Sequence, residues 1–315
     1  MRERRLGATG LRVSRLGLGT MTWGRDTDEH EARDQLTSFV GAGGTLLDTA
    51  ASYADGDSER VLGSLLGSVV DRSDVVLATK AGSANRRGRR VHDTSRRALL
   101  DTLDGSLTRL GVDTVDLWQV HVWSDETPLE ETLSALDAAV ATGRTRYVGV
   151  SNYTGWQTAW AAAAQRAGIG AVELASVQVE HSLLARQAED DVLPAARALG
   201  LGVLAWAPLG RGVLSGKYRT GLPADSRAAS PHFESYVGAH LHPDGRRVVE
   251  AVVRAAEGLE LSPVEVALAW VRDRAGVTAP IVGARTAAQL RGALTSEGVE
   301  LPAEIVAALD DVSDQ

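Results

Sequence analysis

Cysteine is missing from all 315 residues. Disulfides, thiolate nucleophiles and zinc–sulfur sites are therefore excluded. A basic balance is missing too. The formal net charge is −8, which argues against a nucleic-acid partner whose phosphates need neutralising. Arg86-Arg87 and Arg89-Arg90 are a local exception and read as a solvated loop. No apolar run is long enough to span a membrane, and the opening MRERRL lacks the apolar stretch of a signal peptide. The expectation is a soluble cytoplasmic protein. His92, His181, His232, His240 and His242 show no regular ligand spacing; they read as surface or loop residues, and no metal is expected. Two nucleotide signatures are also absent. Gly17-Leu18-Gly19-Thr20-Met21-Thr22 lacks the third glycine of a dinucleotide fingerprint, and Gly41-Ala42-Gly43-Gly44 precedes a strand instead of following one. No G-x-x-x-x-G-K-[ST] loop occurs, so any nucleotide is held in another way.

What the chain has is alternation. With 44% apolar residues it can bury a sizeable core. Glu3 to Leu6 and Leu11 to Val13 read as a small hairpin across Gly7-Ala8-Thr9-Gly10. Strands are expected at Leu16–Leu18, Thr45–Leu47, Val75–Thr79, Val115–Val120, Tyr147–Val150, Ser176–Val179, Gly202–Trp206 and Ala279–Val282, with helical patterns between them. The strand starts from Leu46 to Gly202 recur about every 30 residues, the beat of repeated βαβ units. Eight strands point to a closed (β/α)8 TIM barrel rather than an open sheet. Gly216 to Asp244 reads as a long loop over the barrel mouth. Arg246–Glu257 and the segment from Leu301 onward read as helices outside the repeat. No linker or low-complexity tract divides the chain, so residues 1–315 are expected to be one domain.

The stretch LLDTAASYADGDSE, Leu46 to Glu59, anchors the functional reading. An apolar strand ends on Asp48, Tyr53 follows in a turn-rich loop, and Ser58 is placed to cap a helix whose apolar face is Val61, Leu62, Leu65 and Leu66. Lys80 ends the next strand, His121 follows DLWQV, Ser151-Asn152 follows YVGV, Gln178 sits in SVQVE and Trp206 ends VLAWAP. A barrel points all of these toward its C-terminal face. A lysine closing an apolar strand is partly desolvated and calls for an acid nearby; Asp48 is the candidate. Singly, each of these residues has an ordinary structural use. Jointly, on successive strands, they suggest a site.

At this point the chain resembles the aldo-keto reductases. Asp48, Tyr53, Lys80 and His121 match that family's catalytic tetrad in order and context. The words GLGTMTWG, LLDTAASYADGDSERVLG, DLWQVH, YVGVSNY, APLGRGVLSGKY and IVGARTAAQL match as well. The resemblance runs from Leu6 to about Leu294 and is nearest the bacterial and potassium-channel β-subunit branch. It implies an NADPH-dependent reduction of aldehyde or ketone carbonyls to alcohols, with hydride passing from the nicotinamide to the carbonyl carbon. Tyr53 is then the general acid, with its pKa expected to be lowered by Lys80; Asp48 holds Lys80, and His121 orients the carbonyl oxygen.

The resemblance also implies cofactor contacts. Ser151, Asn152 and Gln178 match the carboxamide-binding residues, and Trp206 an aromatic stacked on the nicotinamide. Pro208, Leu209, Gly210, Leu214 and Lys217 match the loop over the pyrophosphate; Gly283, Arg285 and Gln289 match the adenosine 2′-phosphate region. Arg285 favours NADP(H). Ala293 and Gly283 depart from residues common in the family, an adenine-binding asparagine and a lysine. Trp23 and Trp123 are expected to line a substrate-binding mouth with Tyr53 and His121. Three readings follow: a broad carbonyl reductase, a dedicated ketoreductase of a sugar or secondary-metabolite pathway, and a slow nicotinamide-binding sensor or partner subunit. The helix bearing Trp156 and Trp160 reads as barrel packing. A homo-oligomer is compatible with the sequence.

Overall fold

The computed structural model describes all residues except 87, 169–171, 224–225, 230–233 and 315. His232 and Arg87 therefore lie outside the described residues. An antiparallel hairpin of β1 (Glu3–Arg5) and β2 (Arg12–Ser14) opens the chain. Then follow β3 (Gly17–Gly19), α1 (Glu29–Gly41), β4 (Leu46–Asp48), α2 (Asp57–Leu65) and β5 (Val76–Ala81). A second hairpin, β6 (Ser83–Arg86) and β7 (Arg89–His92), precedes α3 (Arg96–Leu110). The repeat resumes with β8 (Val115–Val120), α4 (Leu129–Ala141), β9 (Thr145–Ser151), α5 (Gly155–Ala167), β10 (Leu174–Glu180), α6 (Val192–Leu199) and β11 (Gly202–Trp206). The chain ends with α7 (Glu234–Gly238), α8 (Pro243–Gly258), α9 (Pro263–Arg272), β12 (Val277–Gly283), α10 (Ala287–Leu294) and α11 (Ala303–Ser313).

Strands β3, β4, β5, β8, β9, β10, β11 and β12 pair in parallel, in that order, and β12 closes on β3. The expected (β/α)8 barrel is the fold. Its lower interior holds Leu46, Ala78, Leu117, Ala175, Leu204 and Ala279, and the first hairpin plugs that end with Leu6 and Val13. Gly7 allows the plug to seat: its φ is +59°, and a Cβ there would lie 2.3 Å from the carbonyl oxygen of Gly200. A second apolar layer lies between the strands and the helices, as expected for a sheet covered on its outer face.

Local signals explain most helix starts. Asp28 accepts from the Glu31 amide at 2.9 Å to begin α1. Thr154 with Gln157, and Ser262 with Glu265, form capping boxes at α5 and α9. Ser58 does not cap α2. That helix begins at Asp57 behind the left-handed Gly56, and Ser58 is buried, donating to the Thr20 carbonyl at 2.8 Å. Residues 216–244 are not wholly loop, since they contain a 3₁₀ turn at Arg227–Ala229 and α7. The arginine cluster is likewise not a simple loop: Arg89 and Arg90 belong to β7. In α5 the buried positions are Gly155, Thr158, Ala161, Ala162 and Gln165. The i, i+4 pair Trp156 and Trp160 therefore faces outward, 59% and 45% exposed, and does not serve as barrel packing.

Candidate active site

The C-terminal ends of the strands surround one cavity, lined among others by Asp48, Tyr53, His121, Ser151, Asn152, Gln178 and Trp206. Beneath it Lys80 is 1% exposed. Its Nζ donates to Asp48 Oδ2 at 2.6 Å and to the Thr49 carbonyl at 2.9 Å. Across the barrel, Gln178 Nε2 donates to Asp48 Oδ1 at 2.9 Å. Both carboxylate oxygens are thereby satisfied, one by a cation and one by an amide. Burial alone would depress the Lys80 pKa. Asp48 and Tyr53 more than offset it, and the ammonium ends above the ordinary lysine value.

Tyr53 stands above this pair, where the chain leaves β4 in a 3₁₀ turn. Lys80 Nζ is 5.2 Å from the centre of its ring, and the His121 ring meets it edge-on at 6.0 Å. Its pKa moves opposite to expectation. Lys80 does pull it down, but burial outweighs Lys80 and the net shift is upward. His121 is pushed well below the ordinary histidine value, first by burial and then by the charges of Lys80 and Arg90, a shift that favours the neutral imidazole. Ser52 Oγ lies 3.5 Å from His121 Nδ1.

Asn152 couples the next strands. Its Nδ2 donates to the His121 carbonyl, and its Oδ1 accepts from Trp206 Nε1, both at 2.9 Å. Asn152 adopts a left-handed φ of 58° to do so, a conformation its short amide tolerates. Pro208, Leu209 and Gly283 also line the cavity. Gly210 and Leu214 are buried residues of the 3₁₀ strap that follows β11. Lys217 is exposed; a Cβ on Gly212 would lie 3.7 Å from its Nζ. Arg285 and Gln289 lie on the adjoining rim, where Gln289 Oε1 accepts from the Arg285 amide at 3.0 Å.

The two tryptophans assigned to the mouth do not line it. Trp23 is fully buried, with its Nε1 on Gln35 Oε1 at 3.1 Å. Trp123 is partly buried and packs against Tyr153, Trp156 and Trp160, and its Nε1 donates to Asp125 at 2.7 Å. In their place the wall carries Met21, Arg90, Arg211 and Tyr236. Arg211 sits in the APLGRGVLSGKY stretch and Arg90 in the arginine cluster, so both carried a sequence signal. Tyr236 carried none.

Two histidines read as surface are structural instead. His181 is fully buried, with Nε2 2.8 Å from Glu189 Oε1 and its ring stacked on Trp270. His240 is also buried, with Nε2 3.2 Å from Glu180 Oε1. His242 caps α8 through Nδ1, while His92 is exposed on β7. Among the described residues no cluster of three or more His, Asp or Glu side chains could hold a metal ion, and no helix is long and apolar enough to cross a membrane.

Comparison with known proteins agrees with this geometry. The model of the aldo/keto reductase family matches residues 15–314. The uncharacterized oxidoreductase YrpG of Bacillus subtilis is 37% identical over 98% of the chain and 94% of that protein. A probable voltage-gated potassium channel subunit beta of rice is 34% identical, covering 90% of the chain and 87% of the subunit. Protein tas of Escherichia coli is 31% identical over 99% and 97% respectively. With its parallel eight-stranded barrel and a buried lysine–aspartate pair under the mouth, this oxidoreductase chain belongs to the aldo/keto reductase family.

Proposed function

We propose that the protein is an NADPH-dependent reductase of aldehyde and ketone carbonyls, a cytoplasmic enzyme acting as one domain of residues 1–315, with Tyr53 as the general acid. The observation that carries the reading is the stack Asp48, Lys80, Tyr53, His121 at the floor and wall of a single cavity. A nicotinamide dinucleotide suits the remaining wall. Ser151 Oγ is buried without a hydrogen-bond partner among the described residues, as a carboxamide-binding hydroxyl would be. Lys217 and Arg285 offer cations along the β11 and β12 side of the mouth for its phosphates. When bound, the cofactor supplies the hydride.

The side chains supply the proton and the field. Tyr53, with its pKa raised, stays protonated at neutral pH and donates to the carbonyl oxygen as charge develops there. Lys80, held charged by Asp48, stabilises the phenolate left behind. Neutral His121 donates a hydrogen bond to the same oxygen without competing as an acid. Asn152 ties the His121 backbone to the Trp206 ring, joining the strand end that bears His121 to the aromatic wall.

The test is titration of the protein with NADPH and NADH by tryptophan fluorescence, followed by NADPH oxidation with a panel of aldehydes and ketones. Wild type should bind NADPH and turn over several carbonyls. Tyr53→Phe should keep NADPH binding within a few-fold while losing about 10²–10⁴-fold in kcat. Near-normal activity in that variant would remove Tyr53 from its role. The outward pair Trp156 and Trp160 favours a second reading, a nicotinamide-binding partner subunit like the potassium-channel β-subunits named among the relatives. Tight NADPH binding with no turnover on the panel would favour it.

A further inference from the structure

Among the described residues three charged side chains line the cavity, and two already have counter-ions. Asp48 is held by Lys80. Arg211 sends Nε and a terminal nitrogen to the two oxygens of Glu180, at 2.8 and 2.7 Å. The third is Arg90. It is exposed and makes no hydrogen bond or ion pair among the described residues.

The second hairpin puts it there. β6 and β7 pair with Asn85 opposite Arg90 and Ser83 opposite His92. Strand alternation places Arg90 and His92 on one face, and both are near enough to His121 to depress its pKa. Arg90 also acts on Tyr53. The positive charge is thus within electrostatic reach of the two groups assigned to the carbonyl oxygen.

Its place around the barrel separates it from the dinucleotide. β5, which leads into the hairpin, stands four strands from β11 in either direction. The hairpin therefore approaches the mouth from the side opposite the strap that carries Pro208, Gly212 and Lys217. An anion that meets Arg90 belongs to the substrate.

We propose that Arg90 is a specificity-determining residue that selects carbonyl substrates bearing an anionic group, a carboxylate or a phosphate, a few bonds from the reacting carbon. The planar guanidinium grips either anion through two parallel N–H bonds. The carbonyl at the other end of the molecule is thereby directed between Tyr53 and His121. This inference rests on the reductase reading above.

The test compares kcat/KM within matched pairs, using the full chain with NADPH: 4-carboxybenzaldehyde against 4-methylbenzaldehyde, and glyceraldehyde 3-phosphate against glyceraldehyde. Wild type should prefer the charged member of at least one pair, and the preferred pair separates carboxylate from phosphate. Arg90→Ala should lower the charged-to-neutral ratio by roughly tenfold or more, chiefly through KM, and Arg90→Lys should restore part of it. Added salt should lower the ratio in wild type more than in Arg90→Ala. An unchanged ratio in Arg90→Ala would overturn the proposal. If wild type reduces neither pair, the reductase reading fails, and binding decides the role of Arg90. Benzoate and inorganic phosphate, titrated by tryptophan fluorescence, should then bind wild type roughly tenfold tighter than Arg90→Ala. Equal or absent binding would overturn it.

Discussion

A lysine buried as deeply as Lys80 loses its charge unless a partner compensates for the lost water. Asp48 compensates at 2.6 Å, and Gln178 completes the carboxylate. The need for such a partner is readable from an ammonium at the end of an apolar strand. The direction of the Tyr53 shift is not, because it depends on how much water the folded wall removes from the phenol. A consequence is measurable in the pH profile of kcat/KM. The acid form of Tyr53 is the active one, so activity should fall only as pH rises past the ordinary tyrosine value of ~10. The depressed pKa of His121 leaves the profile flat through the ordinary histidine range near ~6.5. An inflection in that range would show that His121 takes up a proton there.

At the scale of elements, the turn from β12 into α10 shapes the rim assigned to the adenosine end of the cofactor. Thr286 caps α10 by accepting from the Gln289 amide at 3.2 Å, and Gln289 Oε1 accepts from the Arg285 amide. This small turn uses the Gln289 side chain and leaves the Arg285 guanidinium without a partner among the described residues. Arg285→Ala should therefore weaken NADPH binding by roughly tenfold relative to NADH, read as the ratio of the two Kd values. Equal losses for both cofactors would separate Arg285 from the 2′-phosphate. The β6–β7 hairpin was hidden in the sequence for a physical reason. Its residues are mostly polar and charged, so no apolar alternation marks it; the pairing is visible only in the fold.

Across the whole molecule, the last helix is tied to the barrel by a half-buried ionic knot. Glu189 receives Arg274 at 2.6 Å and Arg186 at 2.8 Å, and also meets His181. Arg274 and Trp270 both reach Asp310 on α11. Burial opposes the charge on Glu189, but His181, Arg186 and Arg274 hold its pKa far below the usual carboxylate range. A depressed pKa contributes stability that is full above the unfolded value, ~4.3, and fades as pH falls below it. Glu189→Gln should lower Tm by a few degrees at pH 7, and the gap from wild type should narrow progressively as pH falls below about 4. A gap independent of pH would mean that the charge is not what matters. His181 shows why this knot escaped the sequence: a histidine at a strand end is equally suited to water or to a carboxylate under the adjoining helix, and only packing decides. By itself the sequence determined the strand–helix beat, the eight-stranded barrel and the strand-end positions of Asp48, Lys80, His121, Gln178 and Trp206, because periodicity and apolar runs are local properties of the chain. The tertiary structure alone decided that Trp23 is core, that Trp123 packs against Tyr153, Trp156 and Trp160, that Tyr236 lines the cavity, and that burial outweighs Lys80 at Tyr53. Each of those depends on what residues distant in sequence exclude or neutralise, and no local pattern carries that information.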